Sequence, residues 1–357
     1  MKITFVVPAL NLTGGIRVVS TYADMLAKKG HTVTVVSPNQ KKPTAKEKIK
    51  SVLKWKQYRF ESGFNTSFFD KAIYVVKVLD KYRPVVSDDV PDADVVIATF
   101  WSTAEWVADF PEIKGKKIYF IQHYEVHPWL PIERVKATLQ LPFYKIVVAQ
   151  WIADVLKKEY GEESTVINNA VDHKFFTSPV RKKNKQVKFC MMYSQRSYKG
   201  SQFAFECFKQ LHEQYPATKL IAFGIESIEN VVGLPNGAEY FYQPEQDRIR
   251  DIYSQCDAYL FTSSVEGFGL PILEAMACRT PVIGTECGAA PDLLKSGGGV
   301  LIDIGDKDAL LFAMVKLYNL NEKAWELMSK LAYNEAISHQ WEDKTEEFEC
   351  VLSNHNS

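Results

Sequence analysis

Residues 266–274 read Glu266-Gly-Phe-Gly-Leu-Pro-Ile-Leu-Glu274, and the run upstream, Ala258-Tyr-Leu-Phe261, is apolar enough to be a short buried strand. Thr262-Ser-Ser264 closes that strand, and Gly267 and Gly269 loosen the turn after it. Pro271 suits the first turn of a helix, where its missing N–H costs nothing. A helix start leaves backbone donors unpaired, so the turn through Phe268 and Leu270 offers a site to an anion such as a phosphate. Two carboxylates beside a phosphate would repel it. They suit a ligand that also carries hydroxyls, which carboxylates accept well. Glu266 precedes the glycines and Glu274 lies a turn into the helix, so the pair points to a nucleotide joined to a sugar.

Gly-Phe-Gly by itself fits a loop-to-helix connection in any α/β protein. The longer string is more specific: two glutamates spanning Gly-Phe-Gly-Leu-Pro, then Ala275-Met-Ala277 and Thr280-Pro-Val-Ile283. It resembles the signature of glycosyltransferase family 4, retaining enzymes that use nucleotide-sugars. The resemblance implies an α/β chain of the GT-B fold, two Rossmann-like domains facing each other across a cleft.

With 357 residues the chain is long enough for two domains, each with its own core. Apolar content of 46% and charged content of 24% describe a soluble globular protein. Lys plus Arg equals Asp plus Glu at 43 each, so no bulk charge points to nucleic acid. Six cysteines show no C-x-x-C spacing, which reads as free thiols in a reducing compartment rather than a disulfide framework or zinc site. The apolar run Ile3–Val7 is too short for a signal segment, and no apolar stretch reaches membrane-spanning length. These features predict a cytoplasmic protein, with peripheral attachment to the inner membrane face left open.

The N-terminal domain is expected over 1–170, with a C-terminal helix, 340–357, crossing back to it. Lys2–Val7 is a strand, Leu10–Gly15 a loop, Ile16–Lys29 a helix and His31–Val36 the next strand. The pair Gly14-Gly15 thus falls at the phosphate-loop position of a β-α-β unit. A nicotinamide enzyme would need G-x-G-x-x-G there and an acid after the second strand; Ser37-Pro38 follows instead. Residues 41–59 carry eight Lys or Arg against Glu47 alone, interleaved with Ile49, Val52, Leu53 and Trp55. Two readings fit equally: a helix lying on an anionic membrane surface, or a solvated helix. Strands are expected at Asp94–Thr99 and Lys117–Ile121, the second ending in Gln122-His123-Tyr-Glu. His123 then sits at a strand's carboxyl end, where ligands collect in open α/β sheets. His123 and His127 are four apart, but Pro128 and the lack of a third ligand argue against zinc. Asp92-Ala-Asp94 spells D-x-D, yet it precedes its strand, on the wrong edge of a parallel sheet for ligands.

A linker is expected over 171–186 and a C-terminal nucleotide-sugar domain over 187–339. It opens with strand Val187–Met192, then Tyr193-Ser-Gln-Arg196-Ser-Tyr-Lys199-Gly200. Two cations in a strand-to-helix loop are well placed to neutralise a diphosphate, Arg as a planar fork and Lys as a point charge. Leu220–Gly224 is the next strand, and Gly224 at its end joins the nucleotide-binding positions. Thr285–Asp292 is a second glycine turn into a helix. Arg279 stands where the family commonly has a helix-stopping glycine, so strain is expected there.

The resemblance implies roles. Arg196, Lys199 and the backbone donors at Phe268–Leu270 would stabilise the leaving diphosphate, Glu266 would hold sugar hydroxyls, and Glu274 the ribose diol. His123 and Gly14-Gly15 would hold the sugar from the opposite wall. The expected partners are a UDP- or GDP-sugar donor and a sugar or lipid-linked acceptor, with no cofactor and no metal. A nucleotide-sugar epimerase and a non-catalytic sugar-nucleotide binder are the rival readings.

Overall fold

The computed structural model describes residues 1–41 and 68–354; apart from Lys41, the basic segment 41–59 lies outside the described residues. The chain divides into two compact units, Met1–Ile167 with Thr345–Ser357, and Asn168–Lys344. Among the described residues no helix is long and apolar enough to cross a membrane.

The first unit is built on seven strands: β1 (Lys2–Val6), β2 (Thr32–Ser37), β3 (Val75–Val78), β4 (Val95–Ala98), β5 (Lys116–Ile121), β6 (Tyr144–Val147) and β7 (Thr165–Val166). They pair in parallel in the order β3-β2-β1-β4-β5-β6-β7. The second unit holds β8 (Lys188–Met192), β9 (Lys219–Gly224), β10 (Ala238–Tyr242), β11 (Ala258–Phe261), β12 (Val282–Thr285) and β13 (Gly299–Ile302). Its order is β10-β9-β8-β11-β12-β13, again all parallel. A parallel sheet covered on both faces needs strands that are apolar on both sides. Val95-Val-Ile-Ala98 and Ala258-Tyr-Leu-Phe261 are buried at every position for that reason. Both units have the doubly wound order, and in each the winding reverses beside the first strand: between β1 and β4, and between β8 and β11. Ligands of such sheets bind outside the carboxyl ends at this reversal. Each unit is thus a parallel α/β sheet, as expected from the sequence.

The strands β3 and β13, both at sheet edges, carry no strand signal in the sequence. β3 leaves Val75 and Val78 exposed, so it carries no burial pattern. β13 starts inside Gly297-Gly-Gly299, which reads as a loop. The expected loop before the first helix is also corrected. Asn11 Oδ1 accepts from the Thr13 amide at 2.9 Å and the Thr13 hydroxyl at 2.6 Å, closing the turn early. The helix therefore spans Gly14–Lys28, and both glycines lie in its first turn.

The helix Trp341–Asn354 places Phe348 in the core of the first unit. Its ring stacks on Tyr22 at 4.5 Å between centroids and meets Phe120 edge-on at 5.3 Å. A buried aromatic with such neighbours is worth more than its area alone. Arg279 occupies the left-handed region at φ 59, a conformation costing an L-residue about 1–2 kcal/mol. Its guanidinium lies 3.7 Å from the Tyr333 ring centre and its Nε donates to Ser178 O at 3.1 Å, which offsets that cost. All six cysteines are free; five are buried and Cys350 is exposed.

Candidate functional site

In the second unit the loops after β8 and β11 lie side by side because these strands are neighbours in the sheet. Gly200, at φ 69, is what lets them close: a Cβ there would lie 2.0 Å from Thr262 O. The Ser264 amide donates to Tyr198 O at 2.7 Å, and the Thr262 hydroxyl donates to Gly200 O at 3.1 Å. Lys199 Nζ is thereby set 2.5 Å from Glu266 Oε1. The Ser263 hydroxyl donates to the same oxygen at 2.9 Å. The Lys199 and Glu266 side chains keep only 18% and 15% of their surface, so water screens this pair weakly.

Beyond Gly267, Phe268 is buried and its carbonyl accepts from the Ala289 amide at 2.8 Å, which ties the second glycine turn to the first. Gly269 turns through φ 100 into the helix Leu270–Ala277, with Pro271 in its first turn. Glu274 is buried, and the Tyr253 hydroxyl donates to its Oε2 at 3.2 Å. Burial, and then the nearby Glu274 carboxylate, hold the Tyr253 phenol well above its usual range, so it stays a donor.

The two predicted cations separate. Lys199 meets Glu266, whereas Arg196 is exposed and donates to the Tyr198 hydroxyl at 2.9 Å. Gly224, ending β9, is buried where a Cβ would come 2.5 Å from Tyr193 O. Glu226, two residues on, has no assigned role in the sequence reading. Its Oε1 accepts from the Gln195 amide at 3.0 Å, anchoring the loop that carries both cations. The available signal was a carboxylate just past a strand-ending glycine.

In the first unit, Gly14-Gly15 follows β1, and Gln122 and His123 follow β5. The Gln122 amide donates to Gly15 O at 3.1 Å, while its own Oε1 is buried with no hydrogen-bond partner among the described residues. His123 Nδ1 lies 2.9 Å from Tyr124 O. A carbonyl can only accept, so Nδ1 carries a proton and donates to it. Glu125 accepts from the Trp101 amide at 2.9 Å, at the start of the helix Trp101–Ala108 that follows β4. Burial pushes its carboxyl well above the usual range. Gln122 and Glu125 flank His123 in sequence, and that adjacency was the only sign of them.

Asp92 and Asp94 stand at the amino edge of this sheet. Asp94 accepts from the Lys2 amide at 2.7 Å, and Asp92 pairs with Lys114 Nζ at 2.9 Å. Among the described residues no three His, Cys, Asp or Glu side chains are grouped to hold a metal ion.

Residues 12–175 match the family model described as Glycosyltransferase Family 4, and 173–335 match Glycosyl transferases group 1. N-acetyl-alpha-D-glucosaminyl L-malate synthase of Bacillus anthracis is 33% identical over 106 residues, 28% of each chain. O-antigen chain mannosyltransferase B of Escherichia coli is 31% identical over 105 residues, 29% of this chain and 26% of that one. These matches thus span little more than a quarter of the relatives' length. Anabaena Alr3699/HepE, solved with UDP and glucose, superposes with a TM-score of 0.76 at 16% identity, covering 99% of this chain and all 100% of that one. The sucrose-phosphate synthase of Thermosynechococcus elongatus gives 0.74 at 14% identity, covering 99% of both.

Proposed function

The chain belongs to the family 4 glycosyltransferases, and from that premise we propose that it moves a sugar from a UDP- or GDP-sugar to a sugar or lipid-linked acceptor, with retention at the anomeric carbon. The product would be a cell-surface polysaccharide or glycolipid. The observation that carries the reading is the 2.5 Å contact of Lys199 with Glu266 at the β8–β11 reversal. It sets a cation for the diphosphate beside a carboxylate for the sugar hydroxyls. As the glycosidic bond breaks, charge grows on the leaving diphosphate; Lys199, Arg196 and the N–H groups at Phe268–Leu270 stabilise it. Glu274 holds the ribose diol. In the first unit, Gln122 Oε1 is an acceptor suited to a sugar hydroxyl, and His123, next to it in the chain, is read as contacting the donor sugar.

A ligand that binds only the folded state stabilises it by about 2.7 kcal/mol at a hundred times its Kd. One of UDP, GDP and ADP, with its sugars, should therefore raise the melting temperature, and NMR of the product should show a retained anomer. No shift with any of them would overturn the reading. Catalysis is read as metal-independent, since Lys199 and the helix start supply the positive charge. Full turnover in EDTA is expected, and likewise in Asp92→Asn/Asp94→Asn; loss on chelation with recovery in manganese would contradict it. Residues 41–59 are read as contacting an anionic membrane. Phosphatidylglycerol vesicles should pull the protein down at low salt and release it at high salt; no pull-down at low salt rejects the contact.

A further inference from the structure

We propose that Trp129 and His127, on the loop after β5, form a stacking platform for a pyranose ring of a saccharide acceptor; this rests on the transferase reading above. Trp129 is 61% exposed, yet its ring is held in place. It lies nearly parallel to the His127 imidazole, 4.6 Å between centroids at 17°. His127 in turn meets His123 edge-on at 4.9 Å. The Leu130 amide donates to His127 O at 2.9 Å, closing a turn that contains Pro128 and is followed by Pro131, both with restricted φ. A large aromatic ordered before its ligand arrives avoids much of the entropic cost of binding.

The chemistry of this surface fits a neutral sugar. The C–H faces of a pyranose pack on an indole face, and its hydroxyls stay free at the rim for hydrogen bonds. Burial lowers the His127 pKa, so this part of the ladder is uncharged at neutral pH. The ladder leads back to His123 and, next to it in the chain, Gln122, whose side-chain oxygen can take a hydroxyl donor. A membrane surface fits less well. Interfacial aromatics there work with Lys and Arg, and residues 118–133 contain neither.

The test uses the full chain, a panel of methyl glycosides (glucoside, galactoside, mannoside and N-acetylglucosaminide) and saturation-transfer NMR with intrinsic fluorescence. The parent should bind at least one glycoside. Trp129→Ala should weaken that binding by about tenfold or more, and Trp129→Phe should restore most of it. Nucleoside diphosphate binding, measured on each variant, reports folding and the transferase reading separately. Nucleoside diphosphate binding with no glycoside bound by the parent would overturn the platform alone. So would equal glycoside binding by Trp129→Ala, or a Trp129-dependent fluorescence change seen with phosphatidylglycerol vesicles and not with glycosides. If no nucleoside diphosphate binds the parent, the transferase reading fails, and the acceptor role with it.

Discussion

Replacing Lys199 by alanine is expected to lower turnover of the nucleotide-sugar by about a hundred- to a thousandfold, the loss that follows removal of one donor from a preorganised charge-stabilising site. The geometry makes the effect large for two reasons. Lys199 Nζ is fixed 2.5 Å from Glu266 by loops that Gly200 locks together, so no neighbouring lysine can take its place without moving the backbone. Its removal also leaves the shielded Glu266 carboxylate unopposed beside an incoming diphosphate. Part of the loss will be structural, because breaking a shielded ion pair destabilises the fold. The Ser263 hydroxyl still donates to Glu266, which limits that part. Lys199→Arg keeps the charge, so it separates the two contributions. Steady-state kinetics beside thermal unfolding should show kcat falling far more than stability. Normal turnover and donor affinity in Lys199→Ala would move the diphosphate site elsewhere.

Glu274→Ala should weaken free UDP or GDP as much as the intact donor, since the ribose belongs to both. A hydrogen bond to a charged group contributes about 1.5–3 kcal/mol, or roughly ten- to a hundredfold or slightly more in Kd. The same substitution takes the acceptor from the buried Tyr253 hydroxyl, at a cost of about 1–3 kcal/mol to folding. Glu274→Gln keeps an acceptor for Tyr253 while removing the charge, so its nucleotide affinity should fall with little loss of stability. Calorimetry with the free nucleotide decides: unchanged affinity in both variants rejects the ribose role.

The sequence by itself determined the architecture and pointed to the residues proposed for the site. Each central strand must bury both faces, and this writes continuous apolar runs such as Val95–Ala98 and Ala258–Phe261 into the chain. Gly269 and Pro271 mark a helix start through local backbone chemistry alone. The order of Asp92 and Asp94 before β4 puts them on the amino edge without any need for coordinates. Edge strands β3 and β13 escaped because an edge imposes no such burial.

Only the tertiary structure decided which of these groups meet. Lys199 touches Glu266 across 67 positions because β8 pairs with β11, and strand order is not written in any local period. Gln122 reaches Gly15 across 107 positions although β4 lies between the strands β1 and β5 that they follow. Arg196 and Lys199 look equivalent in the sequence. They part company because the single turn Ser197–Lys199 aims one at Glu266 and leaves the other on the Tyr198 hydroxyl. The reason is common to all of them: periodicity and turn chemistry act over a few residues, whereas a contact between loops depends on which strands the sheet sets side by side.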